Sequence, residues 1–193
     1  MEYDSRTTLL VVDVQNDFAD PRGNLFVRGG DEILPLVNAE IEKAVSAMAH
    51  VIYTQDWHPA STPHFRKDGG TWPVHCVKES WGAAFDEGLA VEGPIVRKGA
   101  DGGDGYSGFS VRDPLSGDVQ ATQLDSLLKA SAIERLVVVG LATDYCVAET
   151  ALDARRLGYP VAVLVDATRP VELEPGDGER AIERMRDAGV VLA

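Results

Sequence analysis

The stretch of residues 134–158 constrains the fold of this chain more than any other. It begins with an apolar, β-branched run at residues 136–139, the pattern of a strand that is buried on both faces of a parallel sheet. Gly140 ends this run, and apolar residues then recur at helical spacing until Gly158. The pattern predicts a strand followed closely by a helix, with Cys146 in the first helical turn.

The position of Cys146 has two interpretations. Ligands of open α/β sheets bind outside the carboxyl ends of the strands, and the free N–H groups at a helix start favour negative charge. With Thr143 and Asp144 as candidate caps, a thiol here is expected to ionise more easily than a free cysteine and to act as a nucleophile. The alternative is a buried cysteine that packs as a small hydrophobe. This stretch by itself favours neither.

The other apolar segments alternate between strand and helix patterns. Because strand, helix, strand units form parallel pairs, this alternation predicts an α/β fold with three layers, in which helices cover both faces of a mostly parallel sheet. A chain of 193 residues provides one sizeable core, so we expect a single domain over residues 1–193. Further strands are predicted at residues 7–14, 50–57, 94–98, 161–165 and 190–192, and further helices at residues 31–49, 123–130 and 179–188.

Charge and composition narrow the class of partner. The formal net charge of −13 disfavours nucleic acid and anionic membranes, because phosphates would be repelled over most of the surface. No apolar run is long enough to span a bilayer, and the first residues lack the pattern of a signal peptide. With only Cys76 and Cys146, a disulfide framework is not expected, so a reducing cytoplasm is the predicted location. Small neutral or cationic molecules remain as ligands, and a homo-oligomer remains open.

Histidines cluster in the long irregular segment of residues 58–93. His58, His64 and His75 lie in it, and Asp56 stands two residues before the first of them, at the end of a predicted strand. Imidazole and carboxylate groups in such a cluster are typical ligands of a divalent metal. The alternative is a set of scattered polar loop residues. We predict one divalent metal ion held by these four residues, with zinc as the first choice and iron or manganese as alternatives.

Two further charged residues end predicted strands. Asp13 lies at the end of the first strand and Lys98 ends the third, so both are expected at the sheet edge where Cys146 lies. Cys146 as nucleophile, Asp13 as its base and Lys98 as a cation that lowers both pKa values form a coherent set. Taken singly, Asp13 also fits a structural acceptor and Lys98 a surface ion pair.

Several apolar residues fit either a ligand pocket or the core. Phe18 and Leu25 lie in the loop after the first strand, Trp72 lies in the histidine segment, and Tyr106 follows a glycine-rich segment at residues 99–105. Spacing alone does not separate these two interpretations.

Seven motifs together resemble the nicotinamidases, or pyrazinamidases, of the isochorismatase-like cysteine hydrolases. They occur in the order typical of that family and cover essentially the whole chain. The motifs are DVQNDF at 13–18, DWH at 56–58, the later His64, WPVHC at 72–76, RKG at 97–99, YSGF at 106–109 and GLATDYCV at 140–147.

The resemblance implies a catalytic mechanism. It implies hydrolysis of nicotinamide to nicotinate and ammonia, a step of NAD salvage, through a thioester on Cys146, with Asp13 and Lys98 completing a triad. It also implies a cis peptide bond between Leu141 and Ala142, and an oxyanion hole formed by the N–H groups of Ala142 and Cys146.

The resemblance also implies how the substrate is held. A divalent metal on Asp56, His58, His64 and His75 would bind the ring nitrogen, and the pocket residues would enclose the ring. The pocket residues implied are Phe18, Leu25, Trp72 and Tyr106.

Three alternatives remain at this point. One is another cysteine hydrolase of the same fold, acting on ureido or carbamoyl amides or on isochorismate, and the amide hydrolases of this group lack the histidine cluster. The second is a non-catalytic protein that binds small molecules on the same scaffold. The third is a zinc hydrolase that uses metal-bound water and does not need Cys146.

Overall fold

A sheet of six strands forms the centre of the computed structural model, which describes residues 2–193. The described residues contain eight strands, of which β4 and β5 form a separate hairpin. In chain order they are β1 (Thr7–Val12), β2 (His50–Asp56), β3 (Ile95–Lys98), β4 (Ser110–Arg112), β5 (Val119–Ala121), β6 (Arg135–Leu141), β7 (Val161–Arg169) and β8 (Val191–Leu192). The sheet order is β3-β2-β1-β6-β7-β8, and each of its pairings is parallel. The predicted fold class is therefore confirmed.

Helices cover both faces of this sheet. They are α1 (Asn16–Ala19), α2 (Leu34–Ser46), α3 (Leu124–Ala130), α4 (Ala148–Arg156) and α5 (Asp177–Asp187), with shorter helical turns at Asp31–Ile33, Arg66–Asp68 and Thr143–Val147. Because side chains alternate along a strand, Leu10 and Val12 of β1 join the core beneath α3, α4 and α5, whereas Leu9 and Val11 join the core beneath α2. Both faces of β1 are thus buried, as its continuous apolar run predicts.

Gly140 does not end the central strand, contrary to the prediction from sequence. It lies inside β6 with a φ of 113°, at a shift in the register between β6 and β7. A Cβ atom there would lie 2.1 Å from the carbonyl oxygen of Val12, so only glycine fits between the two strands. Because β1 and β6 approach closely at Gly140, β6 continues to Leu141, shortly before the turn that contains Cys146.

Other differences from the prediction concern short elements. The helix expected over residues 31–49 divides into a short turn and α2, and β7 continues to Arg169, four residues further than expected. The antiparallel hairpin of β4 and β5 was not predicted, because its strands have three residues each and β5 is fully exposed. Within residues 2–193, no helix has the length and apolar character needed to cross a membrane.

Candidate active site and metal centre

Asp13, Lys98 and Cys146 meet at the carboxyl edge of the sheet. Asp13 follows β1, Lys98 ends β3 and Cys146 lies in the turn after β6. The Lys98 Nζ atom is 2.7 Å from Asp13 Oδ2 and 3.6 Å from Cys146 Sγ. All three residues are buried, Lys98 with 1% of its surface exposed. The structure therefore brings together the three residues that the sequence placed at separate strand ends.

Asp13 is held by the backbone as well as by its partners. Its φ of 49° is a left-handed conformation, which aspartate tolerates better than most residues, and it turns the chain sharply after β1. Its Oδ1 atom accepts a hydrogen bond of 2.7 Å from the Thr54 hydroxyl. Its Oδ2 atom, the one paired with Lys98, accepts no hydrogen bond of good geometry from the described residues. That oxygen has a lone pair for another donor.

The thiol of Cys146 is harder to ionise than a free cysteine, which contradicts the prediction from sequence. Burial raises the pKa of Cys146 well above its ordinary value, and the charge of Lys98 offsets this only in part. Burial likewise raises the pKa of Asp13, again opposed by Lys98. Lys98 itself has a raised pKa, because the two nearby aspartates outweigh the effect of its burial. The free protein thus holds a thiol beside a carboxyl group and an ammonium.

Thr143 and Asp144 do not cap the helix through their side chains. The Thr143 hydroxyl donates to Thr168, and the Asp144 carboxylate accepts the backbone N–H groups of Val171 and Glu172. No side-chain cap is present at the Thr143–Val147 turn. These contacts join the turn of Cys146 to the end of β7 and to the segment after it, so Thr143 and Asp144 help to position Cys146.

Asp56, His58, His64 and His75 also converge. One ring nitrogen from each of the three histidines lies within 4.8 Å of a ring nitrogen of each of the other two, and all three histidines are buried. The Asp56 Oδ2 atom is 3.6 Å from His58 Nε2 and 3.9 Å from His75 Nε2. Burial lowers the pKa of His75 to about 4, which favours the neutral ring that a metal requires.

The donor set fits a divalent metal. Both ring nitrogens of His58 are buried without a hydrogen-bond partner in the described part of the chain, and a buried polar atom of this kind is costly unless something binds it. Three neutral imidazoles and one carboxylate match the ligand preferences of zinc, iron and manganese. The four residues can therefore hold a divalent metal ion.

Gln15 and Asp17 support this group, although sequence reasoning assigned them no role. The Gln15 side chain donates to the carbonyl oxygen of Asp56 and accepts the Asp56 N–H, both at 2.8 Å. The Asp17 carboxylate accepts the N–H of Cys76, the residue after His75, at 2.7 Å. Both lie in the DVQNDF motif, so one short segment contains Asp13 and positions two of the candidate metal ligands.

An open cavity lies above both groups. The peptide bond between Leu141 and Ala142 is cis, and Ala142 and Cys146 line the cavity. The four predicted pocket residues line it as well, together with residues that the prediction missed. The lining residues are Phe18, Leu25, Val27, Asp56, His64, Trp72, His75, Gly105, Tyr106, Leu141, Ala142, Tyr145, Cys146 and Val171.

Aromatic rings form one wall of the cavity. The Trp72 indole N–H donates to the Tyr106 hydroxyl at 2.8 Å, and the ring of Tyr145 meets Trp72 edge to face with centroids 4.9 Å apart. Tyr145 was not predicted as a pocket residue, although its place directly before Cys146 was a usable signal. The wall offers a flat apolar ligand a stacking surface beside the thiol.

Comparison with known families identifies relatives over almost the whole chain. A model of the isochorismatase domain matches residues 7–193. A nicotinamidase of Escherichia coli is 38% identical over 209 residues, covering 95% of this chain and 92% of the relative. The family resemblance drawn from the motifs is thereby confirmed.

Solved structures agree with these matches. A pyrazinamidase of Pyrococcus horikoshii in complex with zinc has a TM-score of 0.87 at 38% identity, over 97% of this chain and 98% of the other. PnC1 from L. infantum in complex with nicotinate has a TM-score of 0.89 at 36% identity, over 100% of this chain and 95% of the other. The similarity to PnC1 covers the whole chain, the candidate site included.

Proposed function

The chain belongs to the isochorismatase family, and from this premise we propose that its cavity hydrolyses nicotinamide to nicotinate and ammonia. One observation carries the proposal. A single cavity borders both a thiol beside a carboxylate and an ammonium, and a cluster of imidazoles able to hold a metal. The thiol, carboxylate and ammonium can carry out acyl transfer, and a metal held by the imidazoles would favour a substrate with a ring nitrogen. The nicotinamidase and pyrazinamidase relatives support the same substrate class.

The first step is removal of the thiol proton. Because the pKa of Cys146 is raised, little thiolate exists before substrate binds, so a base must take the proton. The Asp13 carboxylate is that base, and its Oδ2 atom has the lone pair for it. Lys98 lies beside both groups and stabilises the negative charge as it moves from carboxylate to sulfur.

The thiolate then attacks the carboxamide carbon. The carbonyl oxygen becomes an oxyanion, which we assign to the backbone N–H groups of Ala142 and Cys146. Asp13 returns its proton to the amide nitrogen, the carbon–nitrogen bond breaks and ammonia leaves. An acyl thioester on Cys146 remains.

Water completes the reaction. Asp13, again a carboxylate, takes a proton from a water molecule, whose oxygen attacks the thioester carbon at the same oxyanion site. The carbon–sulfur bond breaks, Asp13 returns its proton to the sulfur, and the nicotinic acid formed loses its proton to solvent and is released as nicotinate. Each proton that Asp13 takes is returned, so Lys98 and the two reacting residues end in their starting state.

Asp56, His58, His64 and His75 would hold one divalent ion beside the cavity. When bound, the ion supplies a Lewis-acidic position for the lone pair of the pyridine nitrogen, which orients the carboxamide without activating water. Zinc is our first choice, since the P. horikoshii pyrazinamidase was solved with zinc and the ligand set suits it.

Phe18, Trp72 and Tyr106 would enclose the substrate ring. They line the cavity that Cys146 and two of the three clustered histidines also line. A flat aromatic amide can stack against these side chains while its carboxamide reaches Cys146. An aliphatic amide lacks both the stacking surface and the ring nitrogen.

An ammonia-release assay on purified, zinc-supplied protein tests this proposal. The panel contains nicotinamide, pyrazinamide, benzamide, a carbamoyl amide and an aliphatic amide. We expect nicotinamide and pyrazinamide to be hydrolysed with kcat/KM at least about tenfold above benzamide, which has no ring nitrogen to orient. Preference for the carbamoyl amide, or equal turnover of benzamide and nicotinamide, would contradict the proposal.

A further inference from the structure

The glycine-rich loop of residues 99–105 packs directly against the histidine cluster. Gly99 has a φ of 77°, and a Cβ atom there would lie 2.6 Å from the His58 ring. The carbonyl oxygen of Gly102 accepts a hydrogen bond of 2.6 Å from the Thr62 hydroxyl, two residues before His64. The loop thus meets the segment of the candidate metal ligands at several points, and its sequence alone gave it no role.

The strongest of these contacts joins Asp104 to His64. Asp104 Oδ1 lies 2.5 Å from His64 Nδ1, and the Asp104 side chain is only 22% exposed. The Asp104 backbone is fixed separately, because its N–H donates to the carbonyl oxygen of Arg112 at 2.7 Å and its own carbonyl oxygen accepts the Arg112 N–H at 2.9 Å. Asp104 is therefore anchored on β4 and presents its carboxylate to the imidazole.

The three histidines differ in what their Nδ1 atoms contact. His75 Nδ1 lies 2.8 Å from the carbonyl oxygen of Pro73, which can only accept a hydrogen bond. His58 has no partner on either ring nitrogen among residues 2–193. His64 is the one of the three whose Nδ1 contacts a carboxylate.

We propose that Asp104 is a positioning residue for His64 in the metal centre, a statement that rests on the proposed function. By accepting the Nδ1–H, its carboxylate fixes the tautomer in which Nε2 carries the lone pair and holds the ring toward His58 and His75. A carboxylate on the outer nitrogen also makes an imidazole a stronger ligand.

The charge of Asp104 has a further use at this site. Asp56, the one carboxylate among the four candidate ligands, forms an ion pair with Lys98, so part of its charge is already balanced. A dication bound there would be stabilised by a second negative charge close to the cluster. Asp104 supplies that charge through His64 and takes no position in the ligand set.

Zinc binding by full-length variants tests the inference. Asp104→Ala and the nearly isosteric Asp104→Asn are compared with Asp101→Ala, an exposed aspartate of the same loop, after chelator treatment. Zinc titration in competition with a chromophoric chelator gives each dissociation constant. We expect Asp104→Ala to weaken zinc binding about 10- to 100-fold, Asp104→Asn to weaken it less, and Asp101→Ala to leave it unchanged.

The ¹⁵N signals of His64 in zinc-free protein give a second measurement. We expect one tautomer, with the proton on Nδ1, in the natural chain and a mixture of tautomers in Asp104→Ala. Wild-type affinity in both Asp104 variants, or an unchanged His64 tautomer, would overturn the inference. Failure of the unsubstituted protein to bind zinc would contradict the proposed metal centre, and the His64 tautomer would then decide on Asp104 by itself.

Discussion

Asp56 and Lys98 are register partners on the neighbouring parallel strands β2 and β3, and their side chains form a buried ion pair. Lys98 also pairs with Asp13 at 2.7 Å, while the second oxygen of Asp56 faces His58 and His75. Burial raises the pKa of Asp56, but the charge of Lys98 together with the contacts of His58 and His75 outweighs this and holds the pKa well below its usual range. The ammonium of Lys98 thus connects Asp13, the proposed base, to Asp56, a candidate metal ligand.

Replacement of Cys146 by alanine should abolish turnover. Cys146 lines the cavity beside Lys98, so its loss removes the nucleophile and should lower kcat by at least about 10³-fold, whereas a reaction through metal-bound water would not need it. Ammonia release from nicotinamide measures the effect. The matched control is Cys76→Ala, since Cys76 is also buried but does not line the cavity. Near-normal activity of Cys146→Ala would disprove the thioester mechanism.

Replacement of Lys98 should lower the stability of the fold as well as the rate of the reaction. Lys98→Met leaves the carboxylates of Asp13 and Asp56 buried without their cation, which should cost about 3–5 kcal/mol of unfolding free energy. Urea unfolding of metal-free protein at pH 7 measures it. Lys43→Met is the control, because the Lys43 side chain is 61% exposed and its pair with Glu40 is worth less than about 1 kcal/mol. Equal stability of the two variants would mean that the buried pairs contribute little.

Zinc should stabilise the metal-free protein. At a free concentration 100-fold above its dissociation constant, a ligand that binds only the folded state adds about 2.7 kcal/mol, seen as a rise in Tm. His58→Ala should lose most of this rise, since both ring nitrogens of His58 lack another partner within the described residues. His50→Ala, which alters an exposed histidine at the start of β2, should retain it. A similar response in both variants would place the ion elsewhere.

Acid should destabilise the metal-free protein through His75. Burial lowers the pKa of His75 from 6.5 to about 4, so between these values the unfolded chain binds more protons than the folded one. Stability should therefore fall as the pH falls from about 6.5 to about 4, by up to about 3 kcal/mol from this residue. Unfolding free energies across this range should decline less steeply for His75→Asn than for the natural chain. Parallel curves for the two proteins would contradict the assignment.

The hydroxyl of Tyr106 should contribute to substrate binding more than to chemistry. Tyr106→Phe removes the acceptor of the Trp72 indole N–H and leaves that wall of the cavity less fixed. We expect KM for nicotinamide to rise about fivefold, as the loss of about 1 kcal/mol implies, with kcat little changed. Steady-state kinetics separate the two constants. Tyr3→Phe, which removes a remote hydrogen bond to Glu40, should change neither.

Local sequence patterns determined the fold class. Continuous apolar, β-branched runs such as that of β1 predict strands buried on both faces, and burial on both faces is what a parallel sheet between helices requires. The hairpin of β4 and β5 was not predicted. Each of its strands has only three residues and β5 is exposed, so the sequence shows no alternation of apolar and polar residues there. Helix boundaries shifted by a few residues where turns competed with the helix.

The sequence by itself determined which chemical groups stand at the strand ends and that they recur in the order typical of one family. Only the tertiary structure decided that Asp56 pairs with Lys98, that Asp104 holds His64 and that Cys146 is harder to ionise than a free thiol. The physical reason is that residue spacing reports local geometry. Strand register, loop packing and the removal of water depend on segments 40 or more residues apart, and these set both the contacts and the pKa values.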